Sequence, residues 1–115
     1  MVGPRLNRTH TAVLERSIWI ETELVTEPHE IAWAGHARWF VHVLECDADV
    51  SFSLLTEISP EGLTWCEHET SQKTFRGPGM KSLPIHDPPP YARLRLKLDD
   101  PGRRIKAIIY LTLKQ

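Results

Sequence analysis

The sequence is short of the features that announce a compartment or a reaction. It has two cysteines, Cys46 and Cys66, in 115 residues, too few for the disulfide framework that staples small secreted domains. Both are expected as reduced thiols that pack as small hydrophobes. No apolar run reaches the roughly 20 residues a membrane-spanning helix needs. The N-terminus, MVGPRLNRTH, lacks the apolar stretch of a secretory signal. The expected location is therefore a cytoplasm or a virion, with no membrane partner. Charge of one sign is also missing: 14 Lys and Arg stand against 15 Asp and Glu, a formal net charge of −1. Sequence-independent nucleic-acid binding needs a clear basic excess, so no nucleic acid is expected as a partner.

Catalytic motifs are absent as well. There is no G-x-S-x-G elbow, no G-x-G-x-x-G and no P-loop. The stretch RGPGMKS (76–82) has glycine and lysine, but not the phosphate-loop spacing or a strand-to-helix setting. The compact H-x-H unit of metal-binding cupins is missing too. His29, His36, His42 and Glu45 remain as a looser set, yet His36 and His42 would stand roughly 20 Å apart on one continuous strand at about 3.3 Å per residue. No cofactor is expected, and the chain is not expected to be an enzyme.

What is present is alternation. Hydrophobic residues make up 41% and charged residues 25% of the chain, the balance of a soluble globular protein, and the length suffices for a single core. Nine prolines and six glycines suit many turns rather than long helices. YARLRLKL (91–98) puts Ala92, Leu94, Leu96 and Leu98 on one face, with Tyr91, Arg93, Arg95 and Lys97 on the other. RIKAIIYLTLK (104–114) buries Ile105, Ala107, Ile109, Leu111 and Leu113 in the same way. VSFSLLTEIS (50–59) sets Val50, Phe52, Leu54 and Ile58 against serines and Glu57. In the segment 30–46, Trp39, Val41 and Val43 share a face opposite Phe40, His42, Leu44 and Cys46, with an irregularity expected near Gly35. TAVLERSIWIETEL (11–24) alternates less cleanly, interrupted by Arg16. LTWCEHE (63–69) is read as a returning strand with Leu63 and Trp65 inward. Residues 70–90, rich in Gly and Pro, are expected as a long surface connection with at most one short edge strand.

Turn signals separate these runs: Pro28, CDAD (46–49), PEG (60–62) and DDPG (99–102). The fold expected is all-β, an antiparallel β-sandwich or jelly roll of about six to eight strands. Residues 1–10 read as a loose N-terminal arm and residues 11–115 as one sandwich domain.

Three sets of side chains are candidates for a site. His42, Cys46, Cys66 and His68 have the composition of a tetrahedral zinc set, although the tight C-x-x-C knuckle of zinc fingers is absent. The alternative is two buried thiols with histidines on polar faces. Arg93, Arg95 and Lys97 form a basic stripe suited to an acidic partner or a sulfated sugar, or else a solvated face that discourages edge aggregation. Trp33, beside the Gly35 irregularity, is the tryptophan expected to be exposed and able to stack on a sugar. Trp39 and Trp65 lie on inward parities and are expected in the core.

ISPEGLTW (58–65) resembles the strand–turn–strand signature S-x-[DE]-G-x-x-W of small β-sandwich domains. Such domains occur in phage and phage-like structural proteins and in discoidin-like, galactose-binding-type jelly rolls. YARLRLKL is similar to the strand that follows the irregular loop in them, so the likeness runs roughly from Ala37 to Leu98. The resemblance implies that Ser59 ends a strand, Glu61 and Gly62 make the turn, and Trp65 enters the core. It also implies a non-enzymatic structural or interaction module, a decoration or connector of a phage-type capsid or tail, with a homo-oligomer or other assembly subunits as partners. A carbohydrate-binding module using Trp33 and the 70–90 segment is the alternative, although the sequence has no clear calcium loop. A cupin-like metal enzyme is the third.

Overall fold

Every strongly alternating stretch becomes a strand in the computed structural model, which describes residues 9–69 and 73–115. In chain order the strands are β1 (Thr9–Ile20), β2 (Glu23–Val25), β3 (His29–Glu30), β4 (His36–Cys46), β5 (Ser51–Ser59), β6 (Cys66–Glu67), β7 (Lys73–Arg76), β8 (Gly79–Ile85), β9 (Tyr91–Leu98) and β10 (Ile105–Lys114). No helix occurs among the described residues, so none is long and apolar enough to cross a membrane. The strands form two antiparallel sheets. One has the order β1-β10-β4-β8. The other runs β2-β9-β5-β6, with β3 also on β9 and β7 also on β5. The expected antiparallel sandwich is the observed fold, with ten strands rather than six to eight.

The chain passes from one sheet to the other between β1 and β2, β3 and β4, β4 and β5, and at each step from β7 to β10. Each sheet therefore gathers residues distant in sequence, and one core lies between the two inner faces. From the four-stranded sheet it takes Ala37, Trp39, Val41 and Val43 of β4 and Ile105 through Leu113, at odd positions, of β10. From the other it takes Val50, Phe52 and Leu54, then Ala92, Leu94, Leu96 and Leu98. Burying a side chain of leucine size stabilises by about 1.5–3 kcal/mol. Within this apolar layer the Trp39 Nε1 donates to Thr56 Oγ1 at 2.9 Å, a hydrogen bond from sheet to sheet.

Irregularities fall where the sequence pattern weakens. In β1 the pairing with β10 slips between Val13 and Glu15 and again between Glu15 and Ile18, and Ser17 has φ 53°. Such bulges add a residue to one strand and shift which side chains face the core. The β1 pairing starts with Thr9 on Lys114 and His10 on Leu113. The rest of the expected arm, residues 1–8, lies outside the described residues. Gly35 ends the turn that leads into β4, its N–H bonded to Lys114 O at 2.9 Å.

Two expectations are corrected. Residues 73–90 are not one long connection, because they contain β7 and the seven-residue β8, which pairs with β4 from Gly79 to Ile85. Proline in β8 is tolerated because that strand is an edge. The step from β7 to β8 changes sheet within two residues, and Gly77 (φ 76°) and Gly79 (φ 111°) supply the backbone angles this requires. Nor does LTWCEHE return as an inward-facing strand. Leu63 is 84% exposed, β6 is only two residues long, and Trp65 is half-buried outside the core.

Candidate functional site

The proposed zinc residues are divided between the sheets. His42 is on the outer face of β4, opposite Ile108 on one side and Met80 on the other. Cys46 ends β4, half-buried against the core. Cys66, on β6 of the other sheet, is exposed. His68 is buried: its N–H donates to Thr56 O at 2.9 Å and its Nε2 lies 2.5 Å from His86 O. A carbonyl oxygen can only accept, so Nε2 carries the proton and its lone pair is not available to a metal. Among the described residues no three His, Cys, Asp or Glu side chains are grouped to hold a metal ion. The four candidates are not brought together. The looser cupin-type set is spread likewise, with His29 on β3 and His36 and His42 on β4. Burial lowers the pKa of His29, opposed in part by the charge of Glu27.

Arg93 and Arg95 are where alternation puts them, on the outer face of β9, but they are not an open basic stripe. Glu57, on β5, pairs in register with Arg93 and takes both guanidinium groups. Arg93 Nε donates to Glu57 Oε1 at 2.8 Å, and Arg95 Nη2 lies 3.6 Å from Oε2. Arg95 Nε is 3.5 Å from Glu23 Oε1, an ion pair without an aligned hydrogen bond. Trp65 covers the other side of Arg93, whose guanidinium carbon sits 4.3 Å from the ring centroid. Two arginines, two glutamates and one tryptophan thus form one cluster on the outside of the six-stranded sheet. In it Arg93 is hydrogen-bonded to Glu57, and Arg95 is held by charge alone, its buried Nε without a hydrogen-bond acceptor among the described residues. The sequence singled out the arginines and missed Glu57. Its signal was a carboxylate facing the same way as the arginines in a neighbouring strand.

Trp33 is half-buried in the turn between β3 and β4 and packs against the core. The exposed tryptophan is Trp19, 41% accessible, on edge strand β1. Arg104 lies over its ring at 4.2 Å and Lys106 at 5.9 Å, so that ring is already a partner for cations.

The turn after β5 is held by two side chains. Ser59 Oγ accepts from the N–H groups of Glu61 (3.3 Å) and Gly62 (2.8 Å) and donates to Glu61 Oε1 at 2.8 Å. That carboxylate also accepts from the N–H groups of Leu63 (3.0 Å) and Thr64 (2.7 Å). Gly62 has φ +86°, and a Cβ there would come within 3.3 Å of the Tyr91 ring. The backbone N–H of Thr64, then the Ser59 hydroxyl and the Leu63 N–H, lower the Glu61 pKa to about 2 from its ordinary 4.5. A depressed carboxylate stabilises the fold above its ordinary pKa, and that contribution is lost as pH falls toward the folded value. We therefore expect Glu61→Gln to lower the melting temperature at pH 6, with the gap to wild type closing as pH falls from about 4.5 to about 2. A gap that stays constant over that range would rule out this role.

The fold and its candidate sites together define a class: an antiparallel β-sandwich whose arginine–glutamate cluster on the six-stranded sheet is paired internally. No family model matches the sequence, and no curated protein matches it. Solved structures do match. The PBSX exported protein XepA superposes with a TM-score of 0.67 at 10% identity, over 90% of this chain and 36% of that one. The SPBc2 prophage-derived protein YomS superposes with a TM-score of 0.62 at 2% identity, over 99% of both chains. The chain thus spans about a third of XepA and the whole of YomS, and the likeness is one of fold.

Proposed function

We propose that the chain is a non-enzymatic structural module of a phage-type assembly, resident in the virion and bound to neighbouring subunits. The observation that carries this reading is the end-to-end match with a prophage-derived protein of the same extent. The chemistry of the surface agrees with it. Arg93, Arg95 and Glu57 are paired with one another, His68 Nε2 meets a backbone carbonyl, and neither cysteine belongs to a group of three or more His, Cys, Asp or Glu among the described residues. A capsid decoration or a tail connector, alone or as a homo-oligomer, fits this fold and the turn resemblance around Ser59–Trp65. The test is direct: particles induced from a strain carrying the gene are banded on a density gradient, and their proteins are identified by mass spectrometry. The chain is expected in the particle band at a fixed ratio to the major shell or tail protein. Its recovery only in the soluble fraction would exclude the assembly role.

A further inference from the structure

The outer face of the four-stranded sheet has a composition that the core does not require. Its register sets Val13 beside Tyr110 and Tyr110 beside Phe40. One rung along, Ile108 lies beside His42 and His42 beside Met80. Val13 is 40% and Met80 54% exposed, and Phe40, Ile108 and Tyr110 are half-buried. Alternation points all of them away from the core, because their strand neighbours Val41, Val43, Ile109 and Leu111 fill it. A solvated sheet face normally reads polar. Here an apolar band crosses all four strands.

Cations flank the band at both ends. At one end His36, Arg38, His86 and Lys114 line an open groove of about 490 Å³, with Asp87 as its one carboxylate. Arg38 is held in place there by donating to Ser82 Oγ at 2.8 Å. At the other end Arg104 and Lys106 lie over Trp19, and Glu45 is 3.7 Å from Lys106. Four full cations therefore stand against two carboxylates on one face of a chain whose net charge is −1.

We infer that this face is the docking surface for a protein neighbour that presents an apolar centre flanked by carboxylates; that the neighbour is a protein rests on the assembly role proposed above. Charge decides against a second copy of the same face. In a two-fold, self-complementary pairing each end of the band meets either its own copy or the opposite end. Both arrangements oppose cation to cation, which costs affinity and disfavours the pairing. Size permits a transient contact. Four strands of about seven to twelve residues cover on the order of 15 Å by 35 Å, about 500 Å² in projection. That is less than the ~800 Å² per partner of an ordinary stable interface and in the range of a small, transient one.

Two synthetic 12-residue peptides test the assignment, one alternating Leu and Phe with Glu, the other identical but with Lys for Glu. Amide chemical shifts of the labelled protein are followed by NMR at low salt. The acidic peptide is expected to shift Phe40, Tyr110, Ile108 and the groove residue His36, and the basic peptide to shift none of them. Arg38→Glu with Lys106→Glu is expected to weaken the acidic peptide about tenfold or more, the size of effect that reversing rim charges gives. Equal response to both peptides, shifts confined to the six-stranded sheet, or no shifts at all would overturn the inference, even if the variant failed to fold. So would a dimer in sedimentation that Tyr110→Lys dissolves, since that would assign the face to a second copy. Peptide binding by a chain missing from purified particles would uphold the face and remove the assembly role; a chain in particles that ignores the peptide would do the reverse.

Discussion

Trp39→Ala is expected to cost about 3–5 kcal/mol of folding stability, and the reasons lie in both halves of the side chain. The ring is fully buried between the sheets, so its removal forfeits the transfer free energy of a large aromatic group and leaves a cavity in the core. The Nε1 hydrogen bond to Thr56 Oγ1 at 2.9 Å goes as well, and a hydrogen bond of this kind contributes about 0.5–1.5 kcal/mol net. Set against a total of about 5–15 kcal/mol for a domain, the substitution removes a large part of the stability. Trp39→Phe separates the two contributions. It keeps most of the packing, so its cost is expected nearer about 0.5–1.5 kcal/mol, with the loss of the bond to Thr56 as the main term. Chemical denaturation of the three proteins, compared at equal slope, reads these values. A loss below about 1 kcal/mol for Trp39→Ala would mean that the tryptophan does not bridge the sheets as described.

The long strands were legible because burial on one side leaves a period of two that few other structures produce. In β9 and β10 every second residue is aliphatic and every one of those is buried, and β4 repeats the pattern through Trp39, Val41 and Val43. Parity says which face a residue occupies, however, and not which sheet its strand joins. This is why His42 and Cys46 could be set beside Cys66 and His68 in the sequence when β4 and β6 are in different sheets. Short elements carry no period. β6 has two residues, so the inward parity assigned to Trp65 had nothing to enforce it, and the ring settled on Arg93 instead. β8 was hidden by its glycine and proline, which are ordinary on an edge strand. Of the resemblance around ISPEGLTW the turn was legible, since Ser59, Glu61 and Gly62 make the hydrogen bonds and the positive φ that such a turn needs. The core placement of its tryptophan was not.

Glu57 is the residue whose importance only the structure reveals, and neutralising it is expected to cost about 2–4 kcal/mol. It points outward, yet it is only 7% exposed, with the Arg93 and Arg95 guanidinium groups close beside it. Two effects compete at such a site. Desolvation penalises the carboxylate, while attraction to two guanidinium groups favours it, with each unit pair near 4 Å worth about 4 kcal/mol at an intermediate effective dielectric. Glu57→Gln removes the charge and keeps the shape: Arg93 Nε retains an acceptor, but both guanidinium groups lose their common counterion. Since Arg93 and Arg95 keep 24% and 37% of their side-chain surface in solvent, they can rehydrate in part, which holds the cost below the roughly 3–5 kcal/mol of a fully buried broken pair. Glu57→Leu combined with Arg93→Met removes both charges of the closest pair, and it is expected to be less damaging than the sum of the single substitutions by about 1–2 kcal/mol. Denaturation at low and at 0.5 M salt distinguishes this account from a surface ion pair, because screening acts weakly on a carboxylate so little exposed. Additive single and double substitutions, or a Glu57→Gln cost that vanishes in salt, would show that the pair is an ordinary surface contact.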